Sequence, residues 1–216
     1  MKKSLFCFLI LLMVPLASMA YDFEVDGIYY NLTGSSSVTV TYKVTPIIDG
    51  DYTAPYSGHI TIPSTVNYNN KSYAVTSIGD NAFYLCSGLT SITIPEGVTS
   101  IGESAFNCCT GLTSVTIPKS VTSISDKAFS CCSGLTSITI PKGVTSIGLG
   151  AFGSCTGLTS ITIPEGVTSI GNWAFSSCSS LTSITIPESV TSIGDEAFYG
   201  CSSLTSIICK SKKISL

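Results

Sequence analysis

The sequence predicts a repeat solenoid, mainly β, built from 23-residue coils. Three observations predict it. Val75, Val98, Val121, Val144, Val167 and Val190 stand 23 residues apart and open the same phrase six times, with no insertion or deletion. Within a copy, a stretch such as Leu89-Thr90-Ser91-Ile92-Thr93-Ile94 alternates with the period of a strand that buries one face. The Ala105-Phe106 pattern is too short for a long helix.

Composition narrows the function classes. The chain has 216 residues, 44% hydrophobic and only 11% charged, against about 25% charged in an ordinary soluble domain. All ten basic residues are lysine, and His59 is the one histidine. Binding nucleic acid needs a basic footprint, usually with arginine at the base edges. Neither is present, so no nucleic-acid partner is expected.

Residues 1–20 read as a signal peptide. Met1-Lys2-Lys3 is a positive start, the run from Leu5 to Leu16 is apolar, and Ser18 and Ala20 are the small residues of a cleavage site. Cleavage makes Tyr21 the first residue and, by removing Lys2 and Lys3, takes the net charge from −3 to −5. The run is shorter than the ~20 apolar residues of a bilayer span, and no later segment is apolar enough to cross one. A secreted or cell-surface protein is expected.

Residues 21–74 read as an N-terminal β cap with a degenerate first repeat. Phe23 to Tyr30 forms a hairpin pattern around Asp26-Gly27, and Val38 to Val44 alternates as a further strand. Ile60-Thr61-Ile62-Pro63 matches Ile92-Thr93-Ile94-Pro95. A nine-residue insertion before Val75 reads as a hairpin turning at Asn69-Asn70. Covering the first open sheet edge is what a terminal cap is for.

Residues 75–209 are the six repeats. In each, the Leu-Thr-Ser-Ile-Thr-Ile strand presents Ile to one face and Ser and Thr to the other, and proline stops it. Val98-Thr99-Ser100-Ile101 reads as a second short extended piece ended by Gly102. Ala105-Phe106 reads as one helical or 3₁₀ turn whose phenylalanine plugs the core. Equivalent strands then pair in register as a parallel sheet, one strand per coil. A lone coil buries too little to fold, so stability grows with stacking. In residues 210–216, Lys210, Lys212 and Lys213 read as a short polar tail that protects the last strand with charge.

The phrase Leu-x-x-Ile-x-Ile-Pro with Ala-Phe-x-x-Cys at this period resembles the bacterial leucine-rich repeats of the Bacteroides surface antigen (BspA) type. The resemblance covers residues 75–209 almost letter for letter. It implies a right-handed leucine-rich-repeat solenoid on a secreted or surface protein of gut or oral bacteria, some of whose relatives adhere to host matrix proteins or other cells.

Three arrays invite a chemical reading. Cys86, Cys109, Cys132, Cys155, Cys178 and Cys201 form a column, with Cys108 and Cys131 beside it. Their inward spacing suits buried small hydrophobes. Disulfides between neighbouring coils and metal binding are the alternatives, although the mature chain has an odd nine cysteines. Ser137, Thr139, Ser160 and Thr162 belong to hydroxyl columns on the outer strand face, suited to solubility or, less simply, to ordering water as an ice-binding surface does. The positions that vary between repeats bring Tyr84, Trp173 and Tyr199 to solvent near the turns, where exposed aromatics favour binding. The expected ligand contacts are therefore Tyr84, Trp173, Tyr199, Ser137, Thr139, Ser160 and Thr162.

No phosphate loop, nucleophile elbow or metal signature is present, so no enzyme, cofactor or metal is expected. The expected function is a non-catalytic module that binds an extracellular protein or glycan, weakly per molecule. A spacer with no ligand is the structural alternative.

Overall fold

The computed structural model describes residues 21–42, 55–212 and 214. Residues 1–20, expected to be a signal peptide, and Lys43-Val44 of the expected third strand lie outside them. Among the described residues there is no helix long and apolar enough to cross a membrane.

The chain opens with two antiparallel hairpins. β1 (Phe23–Val25) and β2 (Ile28–Leu32) meet at Asp26-Gly27, and β5 (Thr65–Tyr68) and β6 (Lys71–Ile78) meet at Asn69-Asn70. All four turn residues have positive φ, between 49° and 78°, as the tightest two-residue hairpin turns require. β3 (Ser37–Thr41) pairs antiparallel with β2 and parallel with β6. β6 runs without a break across Ala74 and Val75, so the last hairpin strand is also the first strand of the repeats.

Each repeat contributes two strands. The Val-Thr-Ser-Ile piece supplies β8 (Ser100–Ile101), β10 (Ser123–Ile124), β12 (Ser146–Ile147), β14 (Ser169–Ile170) and β16 (Ser192–Ile193). With β1, β2, β3, β5 and β6 these make one continuous ten-stranded sheet. Register is one coil per step, as in Ile124 beside Ile147 and Ile147 beside Ile170.

The Leu-Thr-Ser-Ile-Thr-Ile piece supplies β7 (Leu89–Thr93), β9 (Ser114–Thr116), β11 (Ser137–Thr139), β13 (Ser160–Thr162), β15 (Ser183–Ile186) and β17 (Ser206–Cys209). These pair in separate groups: β4 (Gly58–Thr61) with β7 and β9, β11 with β13, and β15 with β17. The shorter piece therefore carries the continuous sheet, and the longer one is interrupted between β9 and β11 and between β13 and β15.

The Ala-Phe segment is not helical, contrary to the sequence expectation. Two residues per turn have left-handed φ: Asn81 and Leu85, Ser104 and Cys108, Lys127 and Cys131, Gly150 and Ser154, Trp173 and Ser177, Glu196 and Gly200. The two left-handed residues, four positions apart, break helical continuation, and alternate N–H groups between them point along the solenoid. Phe106 N–H donates to Ala128 O at 2.8 Å in the next coil, whereas Asn107 N–H turns back to Ser104 O at 3.1 Å. Each left-handed non-glycine residue costs about 1–2 kcal/mol, offset by satisfying backbone groups that burial would otherwise orphan.

The phenylalanines form one column through the core. Centroids from Phe83 to Phe106, Phe129, Phe152, Phe175 and Phe198 are 5.0–5.6 Å apart, with planes within 6° of parallel. At the N-terminal end Tyr56 lies against Phe83 at 4.6 Å. Its hydroxyl donates to Thr41 O at 2.9 Å and accepts from Tyr29 N–H at 3.2 Å, and burial pushes its phenol pKa well up. At the other end Phe198 is half-buried, and the N–H groups of Glu196, Phe198 and Gly200 have no further coil to meet among the described residues. The tail is partly docked: Ser211 is buried, and its hydroxyl donates to Val190 O at 2.6 Å.

Candidate functional site

The interrupted strand face holds a groove of about 1290 Å³. Its apolar wall comes from Ile117, Ile140, Ile161, Ile163 and Ile184 with Pro141, Pro164 and Pro187. Hydroxyls reach it from Thr139, Ser160, Thr162, Ser183 and Thr185. Lys119, Lys142, Lys210 and Glu165 add charge, and all four are exposed. The groove is therefore locally cationic on a chain whose formal charge is −3. The wall forms because proline halts each strand and bends the chain to Val-Thr-Ser-Ile: Val144 N–H closes on Pro141 O at 3.1 Å and Val167 N–H on Pro164 O at 3.1 Å.

The structure separates the expected contacts into two places. Thr139, Ser160 and Thr162 line the groove. Ser137 is exposed beside it, paired in register with Ser160 as Thr139 is with Thr162. The aromatics lie on the turns instead and line no part of the groove. Trp173 is 45% exposed and donates through Nε1 to Glu196 Oε2 at 3.0 Å; Tyr199 is 66% exposed. Tyr84 is half-buried, not solvent-facing as the spacing suggested. A grooved, broken hydroxyl face is a poor match to flat ice.

Sequence reasoning missed a set of braces among the variable positions. Asp80 Oδ1 accepts from Glu103 N–H at 2.8 Å, Asp126 Oδ1 from Leu149 N–H at 2.8 Å, and Asn172 Oδ1 from Asp195 N–H at 3.0 Å. They occur in alternate coils, so the column reads as unconserved between repeats. The accompanying signal is glycine: a Cβ on Gly102, Gly148 or Gly194 would stand 2.2–2.6 Å from the bracing residue's Oδ1. His59, given no role by the sequence, bonds Ser91 Oγ through Nδ1 at 2.6 Å and Thr61 Oγ1 through Nε2 at 3.0 Å.

The cysteine column is a packing element. Cys86, Cys109, Cys132, Cys155 and Cys178 are buried thiols, and Cys201 is half-buried. The Sγ of Cys109, Cys132, Cys155, Cys178 and Cys201 donates to the phenylalanine carbonyl of the preceding coil at 3.0–3.1 Å. Burial pushes the thiol pKa up to about 11 at Cys86 and about 12 at Cys178, and well above the ordinary value at Cys132 and Cys155. A neutral donor is what the carbonyl needs. Among the described residues no cluster of three metal-ligating side chains forms.

Comparison with known proteins agrees with this architecture. The BspA type leucine rich repeat region matches residues 60–179 and 122–216, with six copies. A leucine rich cell surface protein from Faecalibacterium prausnitzii is 32% identical, with a TM-score of 0.64 over 88% of this chain and 55% of its own. This chain thus spans about half the length of that relative. A leucine rich repeat protein from T. pallidum is 27% identical, with a TM-score of 0.75 over 87% of this chain and 83% of its own. One from Bacteroides ovatus is 27% identical, with a TM-score of 0.50 over 88% of this chain and 72% of its own. No curated protein matches the chain. The repeat phrase, the stacked coils and these matches agree: the chain belongs to the BspA-type leucine-rich repeat family.

Proposed function

We propose that the protein is an exported, non-catalytic binding module whose groove takes an acidic extracellular protein segment or glycan. The groove is the observation that carries this reading. It combines an apolar isoleucine wall, hydroxyls from Thr139, Ser160 and Thr162, and three lysines against one glutamate. Hydroxyls and lysines can hydrogen-bond carboxylates or sugar oxygens, while the wall takes apolar faces. Supporting it is the likeness to a protein described as a cell surface protein.

Affinity per molecule is low. Six strands about 4.8 Å apart and ~17 Å long offer roughly 500 Å² of face, below the ~800 Å² that each partner buries in a standard interface. Many copies on one surface would act by avidity.

The test is adsorption of residues 21–216 to immobilised matrix proteins and glycans, as monomer and as an artificial multimer. Multimer-dependent binding that weakens with salt supports the reading. No binding in either form across a broad panel leaves a ligand-free spacer as the better account.

A further inference from the structure

Two cysteines stand apart from the packed column. Cys108 and Cys131 occupy the same left-handed turn position in successive coils, with φ of 61° and 58°. In the other coils this position holds Leu85, Ser154, Ser177 or Gly200, so only this step of the solenoid brings two such thiols together.

Backbone bonds hold the two turns in register. Cys108 N–H donates to Ser130 O at 2.8 Å, next to Cys131, and Cys131 N–H continues the series to Gly153 O at 2.7 Å. Equivalent Cα atoms one coil apart lie about 4.8 Å from each other, within the roughly 4.4–6.8 Å that disulfides span.

The side chains differ from the column in exposure and in bonding. Both are half-buried, whereas the neighbouring column members Cys109 and Cys132 are buried. The two thiols are close enough to interact: burial first, and then the neighbouring Cys131, hold the Cys108 thiol above its ordinary pKa, so the exchange quickens as pH rises. Neither donates to a core carbonyl: Cys108 Sγ bonds Asn107 Oδ1 at 3.3 Å, and Cys131 Sγ accepts from Ser130 Oγ at 3.7 Å.

We propose that Cys108 and Cys131 are a dithiol modification site that closes to an inter-coil disulfide by exchange with an external disulfide. One thiol gives its proton to solvent, and the thiolate attacks a sulfur of the oxidant. The oxidant's S–S bond breaks, and its leaving thiolate takes up a proton. The second cysteine, deprotonated in turn, attacks the mixed disulfide; the Cys108–Cys131 bond forms and the second small thiol departs. Two electrons pass from the pair to the oxidant, which leaves as two thiols. The buried column thiols of Cys86, Cys109, Cys132, Cys155 and Cys178 cannot follow, because an external disulfide cannot reach them, and the half-buried Cys201 has no second half-buried thiol in the coil before it.

The test uses residues 21–216 carrying Cys209→Ser, since Cys209 is exposed and would react between molecules. The folded protein is incubated with oxidised glutathione, quenched with an alkylating agent, unfolded and mapped by mass spectrometry. The expected product is a peptide pair joining Cys108 to Cys131, about 2 Da lighter than the dithiol and restored by reductant. Its melting temperature should rise by several degrees over the reduced form. Cys131→Ser should convert the same treatment into a lasting glutathione adduct on Cys108. No reaction, a lasting adduct on either cysteine of the unsubstituted pair, or crosslinks through column cysteines would overturn the assignment.

Discussion

The ring of Tyr56 lies 4.6 Å from the ring of Phe83, ending the phenylalanine column on a residue whose hydroxyl is bonded to Thr41 and Tyr29. The apolar column thus closes on a polar fastener that ties it to the N-terminal strands. Tyr56→Phe leaves the ring but strips the Tyr29 N–H and Thr41 carbonyl of this partner. It should cost about 1–3 kcal/mol, the range for removing a buried hydrogen-bond partner, and protease should release the first strands before the repeats. A melting shift no larger than that of Tyr199→Phe, on an exposed ring, would contradict the fastener.

Phe129 sits between Phe106 and Phe152, fully buried, while Thr139 faces outward. Phe129→Ala should cost about 3–5 kcal/mol by opening a cavity in the column. Thr139→Ala should cost far less. Chemical denaturation of the two variants checks the inward and outward assignment, and equal midpoints would reverse it.

The braces predict an ordering within one site. Asp126→Ala frees the Leu149 N–H at the surface and should cost about 1 kcal/mol. Asp126→Asn keeps the acceptor, as Asn172 does two coils on, and should be near neutral. Gly148→Ala should exceed both, because its Cβ would lie 2.6 Å from the Asp126 backbone nitrogen. Thermal melts of the three rank them.

The column thiols predict a pH dependence. Their folded pKa values are raised by burial, to about 11 at Cys86 and about 12 at Cys178, from an ordinary value of about 9. Below pH 9 both states hold the proton, so the stabilisation is complete. Between pH 9 and those folded values the unfolded chain loses protons that the folded chain keeps, so stability falls as pH rises, by up to about 1.4 kcal/mol per pH unit for each thiol. Denaturation midpoints under reductant at pH 7 to 11 measure it, and Cys178→Ala should flatten the slope. A profile unchanged by that substitution would sink the assignment.

The solenoid was legible because six identical phrases fix register, and because a period-2 apolar pattern and a repeated Phe can only face inward together. The turn was not. Left-handed positions normally announce themselves as glycine, but here Leu85, Cys108, Lys127 and Trp173 adopt them, held by bonds to the next coil that no single repeat reveals. Tyr56 was missed because it lies outside the period. The Asp80, Asp126 and Asn172 braces escape a sequence reading because they alternate by coil. The groove depends on where the outer strands fail to pair, which sequence identity between the coils cannot express.

Binding in the proposed groove is tested by comparing multimers of the wild type, Thr162→Trp and Trp173→Ala for adsorption to whichever immobilised ligand the wild type binds. Thr162 is exposed within the groove, so a tryptophan there fills the space without touching the core. The account predicts that Thr162→Trp loses at least tenfold in binding with an unchanged melting temperature, about 1.4 kcal/mol, while Trp173→Ala, on the turn face, binds as the wild type does. Full binding by Thr162→Trp together with loss in Trp173→Ala would contradict it and place the ligand on the turns.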